Sequence, residues 1–266
     1  MSPLTIADLC VYPIKSCRGT KLSAVEVART GLKDDRRWMI VDERGMFVAQ
    51  RGVGSLGVGI RTMCLIEPEV FRDGTLRLTA PGMPALTVSP VGADEASHNV
   101  RLWRRHRRAI DEGLEAADWC TTFLSRERPG RYRLMRRSDD DQTAPTFADS
   151  APILVISQAS LDGLNRRLSE PVPMDRFRPN IVLAGGTDHI EDTLPRLRIG
   201  TVELRGMDLC ERCPMPTIDQ RTALQSKEPL RTLATYRTTD EGVVFGRNFK
   251  PTRVGVIKIG DQAETQ

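Results

Sequence analysis

Short apolar runs, each closed within a few residues by proline, glycine or an Asp-Gly step, leave this chain little scope for long helices. Residues 6–12 read as a strand closed by Pro13. Residues 38–41 and 47–50 flank Glu43-Arg44-Gly45 as a hairpin, and residues 71–78 contain the tight-turn pair Asp73-Gly74. Ile199-Gly200-Thr201 turns between Leu197 and Leu204, and residues 243–245 and 256–259 give late strands. Helices are fewer. Asp111 is placed to cap one through Leu124, with Leu114, Ala117 and Leu124 on its apolar face and Pro129-Gly130 as its stop. Ser157 is placed to cap residues 158–168, and Pro229 suits the first turn of a helix through Tyr236. The polar stretch 138–145 reads as a loop. The expectation is a β-rich α+β chain built as two barrel- or sheet-like units.

Composition narrows the class. With 39% apolar and 28% charged residues the chain suits a soluble globular enzyme. No apolar run approaches the ~18 residues of a membrane span, and the N-terminus lacks a secretory pattern, so no membrane association is expected. Six cysteines at irregular spacing do not form a disulfide framework, and a reducing cytoplasm fits. Arginines cluster at 101–108 and 126–137, yet only 5% of residues are aromatic and none interleave as a stacking platform. Nucleic acid is therefore not expected. A small anion, an acidic protein partner or a solvated face each suits these clusters.

The densest chemistry lies in Cys210-Glu211-Arg212-Cys213-Pro214-Met215-Pro216-Thr217-Ile218-Asp219. Prolines 214 and 216 forbid a regular helix and predict an extended loop presenting Cys213 beside the Arg212 guanidinium. A zinc site, a dithiol, two inert thiols and one thiolate on a soft metal all remain open from the pair alone. Gly52-Val53-Gly54-Ser55-Leu56-Gly57 matches GxGxxG literally, but Val58-Gly59-Ile60 is a poor helix start, so a loop is expected there. In Arg176-Phe177-Arg178-Pro179-Asn180, Pro179 keeps Arg178 extended and sets a guanidinium and an amide at the mouth of a strand. Lys15-Ser16 in the turn after Pro13, and Arg36 before the strand led by Trp38, add cations and a hydroxyl. With a loop thiolate, these groups suggest a phosphorylated, metal-bearing cofactor.

Val11-Tyr12-Pro13-Ile14-Lys15-Ser16-Cys17-Arg18-Gly19, Asp35-Arg36-Arg37-Trp38, Phe177-Arg178-Pro179-Asn180, Cys210-Glu211-Arg212-Cys213, Lys227-Glu228-Pro229-Leu230 and Phe245-Gly246-Arg247-Asn248-Phe249 occur in that order. The series resembles MOSC-domain proteins with a preceding MOSC N-terminal β-barrel domain, the group that includes the mitochondrial amidoxime-reducing components and bacterial relatives. The resemblance implies an N-terminal barrel over residues 1–118 and a MOSC domain over 119–266. It implies a molybdenum cofactor, with Cys213 as the metal's protein ligand. Lys15, Ser16, Arg36, Ser150, Arg178 and Asn180 would contact the pterin and its phosphate, with further contacts from Arg212 and Asn248. Asp219 would be an acidic group near the metal, placed to relay protons, and pyridoxal phosphate is not expected. Ala223 stands where relatives often carry glycine. The implied activity is reduction of N-hydroxylated compounds, with electrons from a separate ferredoxin-, flavoprotein- or cytochrome-type partner. That expectation fits a chain with neither a ferredoxin-type cysteine cluster nor a membrane-anchoring extension. A carrier of the cofactor or its sulfur is the alternative.

Overall fold

The computed structural model describes residues 3–265 except 53, 91, 93–96, 139–145 and 150. Strand β1 (Leu4–Val11) buries Ile6, Leu9 and Val11, and a register shift between Ile6 and Asp8 brings the first two to one side. The chain then builds an N-terminal unit. Strands β2 (Trp38–Asp42), β3 (His98–Leu102) and β4 (Arg105–Asp111) precede helix α1 (Leu114–Leu124) and strand β5 (Tyr132–Arg137). They form an antiparallel sheet in the order β3-β4-β5-β2. A meander of Glu67–Val70, Leu76–Thr79 and Leu86–Val88 turns its first corner at Asp73-Gly74, as expected. Its leucines pack with Trp38 and Ile40 of β2 and Trp119 and Phe123 of α1 in one core.

Helix α1 differs in detail from the expectation. Gly113 (φ 95°) occupies the capping position, and Asp111 accepts the Gly113 N–H at 2.9 Å. Leu114 is 72% exposed, whereas Ala117 and Leu124 are buried as expected, together with Ala116, Trp119, Cys120 and Phe123. The division expected after residue 118 falls inside this helix.

The second unit is a closed barrel. Strands β6 (Ile153–Ser157), β7 (Ile181–Ala184), β8 (Arg196–Ile199), β9 (Val202–Glu211), β10 (Gly242–Arg253) and β11 (Gln262–Thr265) join β1 in the ring β6-β7-β1-β11-β8-β9-β10, and β10 pairs back to β6. Only β6 and β7 run parallel, and helix α2 (Gln158–Asn165) makes the crossover that a parallel pair requires. The Ser157 hydroxyl caps α2 by accepting the Ser160 N–H at 3.1 Å, and the helix ends before residue 168. Strand β6 is buried on both faces. Ile153 and Val155 belong to the barrel interior, while Leu154 and Ile156 pack outward with Leu161, Leu164, Phe177 and Phe245. Helix α3 (Leu230–Ala234) is shorter than expected. No described helix is long and apolar enough to cross a membrane.

A buried pair of amides bolts the units together. Gln50 donates to Gln220 Oε1 at 3.1 Å and to the Ser16 carbonyl at 2.6 Å, and Gln220 donates back to Gln50 at 3.0 Å. Phe249, fully buried in the barrel interior, tests the core assignment. Phe249→Ala should lower the unfolding free energy by about 3–5 kcal/mol in urea titration. A loss within ~0.5 kcal/mol, the range of surface substitutions, would contradict that placement.

Candidate functional site

A cavity of about 710 Å³ lies between the units. The turn after β1 brings Lys15 and Ser16, the turn before β2 brings Arg36, and the segment before β7 brings Arg178 and Asn180. Backbone hydrogen bonds lock these pieces together: Arg36 N to Tyr12 O at 2.9 Å, Lys15 N to Trp38 O at 2.8 Å, and Cys10 N to Asn180 O at 2.9 Å. Ser16 (φ 67°), Arg36 (φ 48°), Trp103 (φ 58°) and Arg178 (φ 56°) all line the cavity in the left-handed region. Each such residue costs about 1–3 kcal/mol and persists only where its surroundings over-determine it.

Asn180 has a different role from the one its sequence suggests. Its Oδ1 accepts from Arg36 at 3.0 Å and from the Leu154 N–H at 3.1 Å. Its Nδ2 donates to the Cys10 carbonyl and to Asp35 Oδ1, each at 3.1 Å. An asparagine amide offers four such bonds, so none remains for a ligand. Asn180 lines the cavity but positions others. Asn180→Ala should cost about 2–4 kcal/mol by leaving buried partners unmet, measured by chemical denaturation.

The cations differ in how they are balanced. Lys15 Nζ donates to Asp149 at 2.5 Å and to the Phe147 carbonyl at 3.1 Å. Burial lowers the Lys15 pKa, with Asp149 opposing the shift. Asp149 is itself held below the usual carboxylate range: burial pushes it up, but Lys15 and the Trp103 indole N–H, 2.6 Å away, outweigh that. Arg36 pairs with Asp35. Arg178 is 6% exposed, donates to the Cys17 carbonyl at 2.6 Å and lies 4.0 Å from the Tyr12 ring centre, yet no described carboxylate pairs with it. Burial lowers its pKa. The Ser16 hydroxyl, also buried, has no hydrogen-bond partner. A buried unpaired cation beside an unmet hydroxyl is a donor set that fits an incoming anion, and a phosphate most naturally.

The thiols arrive from β9. Register shifts between Gly206 and Leu209, and again between Leu209 and Glu211, break the alternation that would send successive side chains to opposite faces. Asp208, Leu209, Cys210 and Glu211 consequently all line the cavity, followed by Arg212, Cys213, Pro214 and Met215. Two expectations are corrected here. Pro214 and Pro216 bring a single 3-10 turn (Met215–Thr217) in place of a fully extended loop. The Arg212 guanidinium bonds Cys210 Sγ at 3.1 Å and the Phe177 carbonyl at 2.8 Å, so it serves Cys210 and not Cys213. Among the described residues no three His, Cys, Asp or Glu side chains converge as a metal cage.

Asp219 is not among the cavity's lining residues. Its carboxylate accepts the Arg221 and Thr222 N–H groups, each at 2.9 Å, to shape the turn that leads to Ala223. Burial raises its pKa, but those bonds prevail and hold it below its ordinary value. Ala223 takes φ 60°, a conformation in which glycine is at ease. Asn248, opposite Leu154 across β10 and β6, does line the cavity. Ser150 lies outside the described residues, between Asp149 and Ala151, which both line it. Tyr12, Asp35, Arg51, Trp103 and Asp149 join the site without having been expected from the sequence. Tyr12 and Asp35 stood inside the family motifs, whereas Trp103 was hidden in an arginine cluster that suits a surface.

Two family models match the chain in order, the MOSC N-terminal beta barrel domain over residues 3–127 and the MOSC domain over residues 142–264. The chain belongs to this MOSC family. It is 35% identical over 286 residues to the human mitochondrial amidoxime-reducing component 1, covering 97% of this chain and 81% of that one. It is 32% identical over 285 residues to the cattle mitochondrial amidoxime reducing component 2, covering 97% and 82%. Among solved structures, the YuaD protein of Bacillus subtilis aligns with a TM-score of 0.43 at 10% identity, covering 98% and 94%, a likeness too slight to carry an argument. The MOSC family is linked to the molybdenum cofactor.

Thiol exposure gives a direct test of the cavity. Burial pushes Cys64 up to about 11 and Cys120 up to about 12, and Cys17 is raised as well. In native protein at pH 8, alkylation followed by mass spectrometry should label Cys210 and Cys213, both part-exposed, well before these three. Equal labelling of Cys120 and Cys213 would refute this packing.

Proposed function

We propose that this protein is a molybdenum-cofactor-dependent reductase of N-hydroxylated compounds such as amidoximes and N-hydroxylated bases. Relatives named for amidoxime reduction suggest the substrate class. The observation that carries the reading is the buried, unpaired Arg178 beside the unmet Ser16 hydroxyl, in a cavity that also presents Cys213. The overall conversion is R–NHOH with two electrons and two protons to R–NH2 and water. When bound, the molybdenum cofactor supplies the two-electron chemistry for removing oxygen from nitrogen.

The protein's own contribution derives from its geometry. Arg178 and Ser16, with Lys15 and Arg36, would hold the pterin phosphate. Asp149 and Asp35 fix the aim of Lys15 and Arg36, and Asn180 fixes Arg36 and the strand ends around it. Cys213 would be the protein ligand to the metal, with Arg212, Asn248 and the segment that includes Ser150 as further contacts. Asp149, held ionised, orients Lys15 and is not a proton donor near neutral pH. Electrons would come from a separate ferredoxin-, flavoprotein- or cytochrome-type protein.

Protein purified from a host that makes the cofactor should contain stoichiometric molybdenum and pterin, and zinc without molybdenum would overturn the reading. With reduced viologen it should convert benzamidoxime to benzamidine over many turnovers, and Cys213→Ser should abolish this. Single-turnover loss of cofactor to another apo-enzyme would instead indicate a carrier. Arg178→Met should shift two measurements in opposite directions. Removing an unpaired buried charge should stabilise the cofactor-free protein by about 1 kcal/mol, while cofactor content falls. A cofactor content unchanged from wild type would remove Arg178 from the clamp.

A further inference from the structure

A second cavity, of about 440 Å³, adjoins the first and shares Arg51 and Pro214 with it, which places it next to Cys213. One wall is the loop of Gly52, Gly54 and Gly57, the residues that mimic a dinucleotide motif. A 3-10 turn (Gly54–Leu56) and a short strand (Val58–Gly59) come next, so no helix N-terminus is offered to a phosphate. The glycines serve close backbone approach instead. A Cβ on Gly59 would lie 2.7 Å from Gly52 Cα, and Gly54 takes φ 60°. Gly52 is different: a Cβ there meets nothing within 4 Å, so a side chain at this position has open space to fill.

The charge of this cavity is biased. Its ionisable groups are Arg51, Arg61, Arg128 and Glu127. Glu127 accepts the N–H groups of Arg61 at 3.1 Å and Thr62 at 2.8 Å, and pairs with the Arg61 guanidinium at 3.3 Å. Arg51 lies over the Trp103 ring, 4.8 Å from its centre. Neither Arg51 nor Arg128 forms an ion pair with a described residue. The residues assigned to the phosphate, Lys15, Ser16, Arg36 and Arg178, do not line this cavity.

We propose that this second cavity seats the non-reacting end of the substrate, and that it favours an end carrying a carboxylate. The inference rests on the reductase reading. The N–O group would face the cavity that holds Cys213, while the remote end passes Pro214 and Arg51 to meet a guanidinium, the side chain best matched to a planar anion. The test uses full-length, cofactor-loaded protein without reductant, so that binding is measured apart from turnover. By calorimetry at low salt, 4-carboxybenzamidoxime should bind about tenfold tighter than benzamidoxime. Arg128→Gln should erase most of that preference, and Gly52→Leu should weaken both ligands. Equal affinity of the two ligands for the wild type would overturn the proposal. So would a full preference in Arg128→Gln, or unchanged binding by Gly52→Leu. If Gly52→Leu melts early, the exposed Arg128→Gln variant decides alone. Adding reduced viologen separates the two ideas. Turnover of neither compound would defeat the reductase reading, while the binding measurements still decide the cavity.

Discussion

Four hydrogen bonds to one amide hold the cavity's frame. Asn180 reaches β1 through the Cys10 carbonyl, β6 through the Leu154 N–H, and the turn before β2 through Asp35 and Arg36. This matters because β1 belongs to the second unit although it begins the chain. It completes the barrel between β7 and β11, then hands its following turn to the interface. Lys15 and Ser16 are thus launched from the barrel itself. A one-residue slip of β1 would turn Ile6 and Leu9 outward and carry both clamp residues away, so barrel packing and site geometry enforce the same register.

The electrostatics of the site combine firmness with an unmet demand. Lys15 and Arg36 have carboxylate partners that fix their positions before anything binds. Arg178 has only a carbonyl and the face of Tyr12. A cation over an aromatic ring gains about 0.5–2 kcal/mol, which offsets only part of the several kcal/mol needed to bury a guanidinium. The fold tolerates that deficit because the Gln50–Gln220 amide pair and the barrel core supply stability elsewhere. An anion that met Arg178 would recover the deficit as binding energy. This is why one poorly satisfied residue says more about function here than its better-paired neighbours.

Much of the architecture was legible because it is set by local chemistry. The Asp73-Gly74 and Gly200 turns, the Ser157 cap and the break before Pro214 depend on side chains a few residues apart. Eight of the ten site residues that the family resemblance implies line one cavity. The errors came from long-range geometry. Spacing places Leu114 on an apolar face, but it is the first helical residue after Gly113 and is 72% exposed. Asp219 is implied by the resemblance, yet it does not line the cavity, and its Oδ1 is held by the Arg221 and Thr222 N–H groups. Trp103 and Asp149 could not be found from spacing, because their contact joins residues 46 positions apart.

The choice between the two neighbouring thiols illustrates how far backbone irregularity can direct chemistry. On a regular strand Cys210 would alternate with its neighbours and Arg212 would share its face. The register shifts in β9 instead turn the whole segment toward the cavity, and Arg212 folds back so that its guanidinium donates to Cys210 while resting against Phe177. That contact gives Cys210 a protein partner. No described residue donates to Cys213, which stands one step further along, where Pro214 starts a new turn. This is the sulfur that the proposed function assigns to the metal. Pro214, which follows Cys213 directly, lines both cavities and sits at their junction.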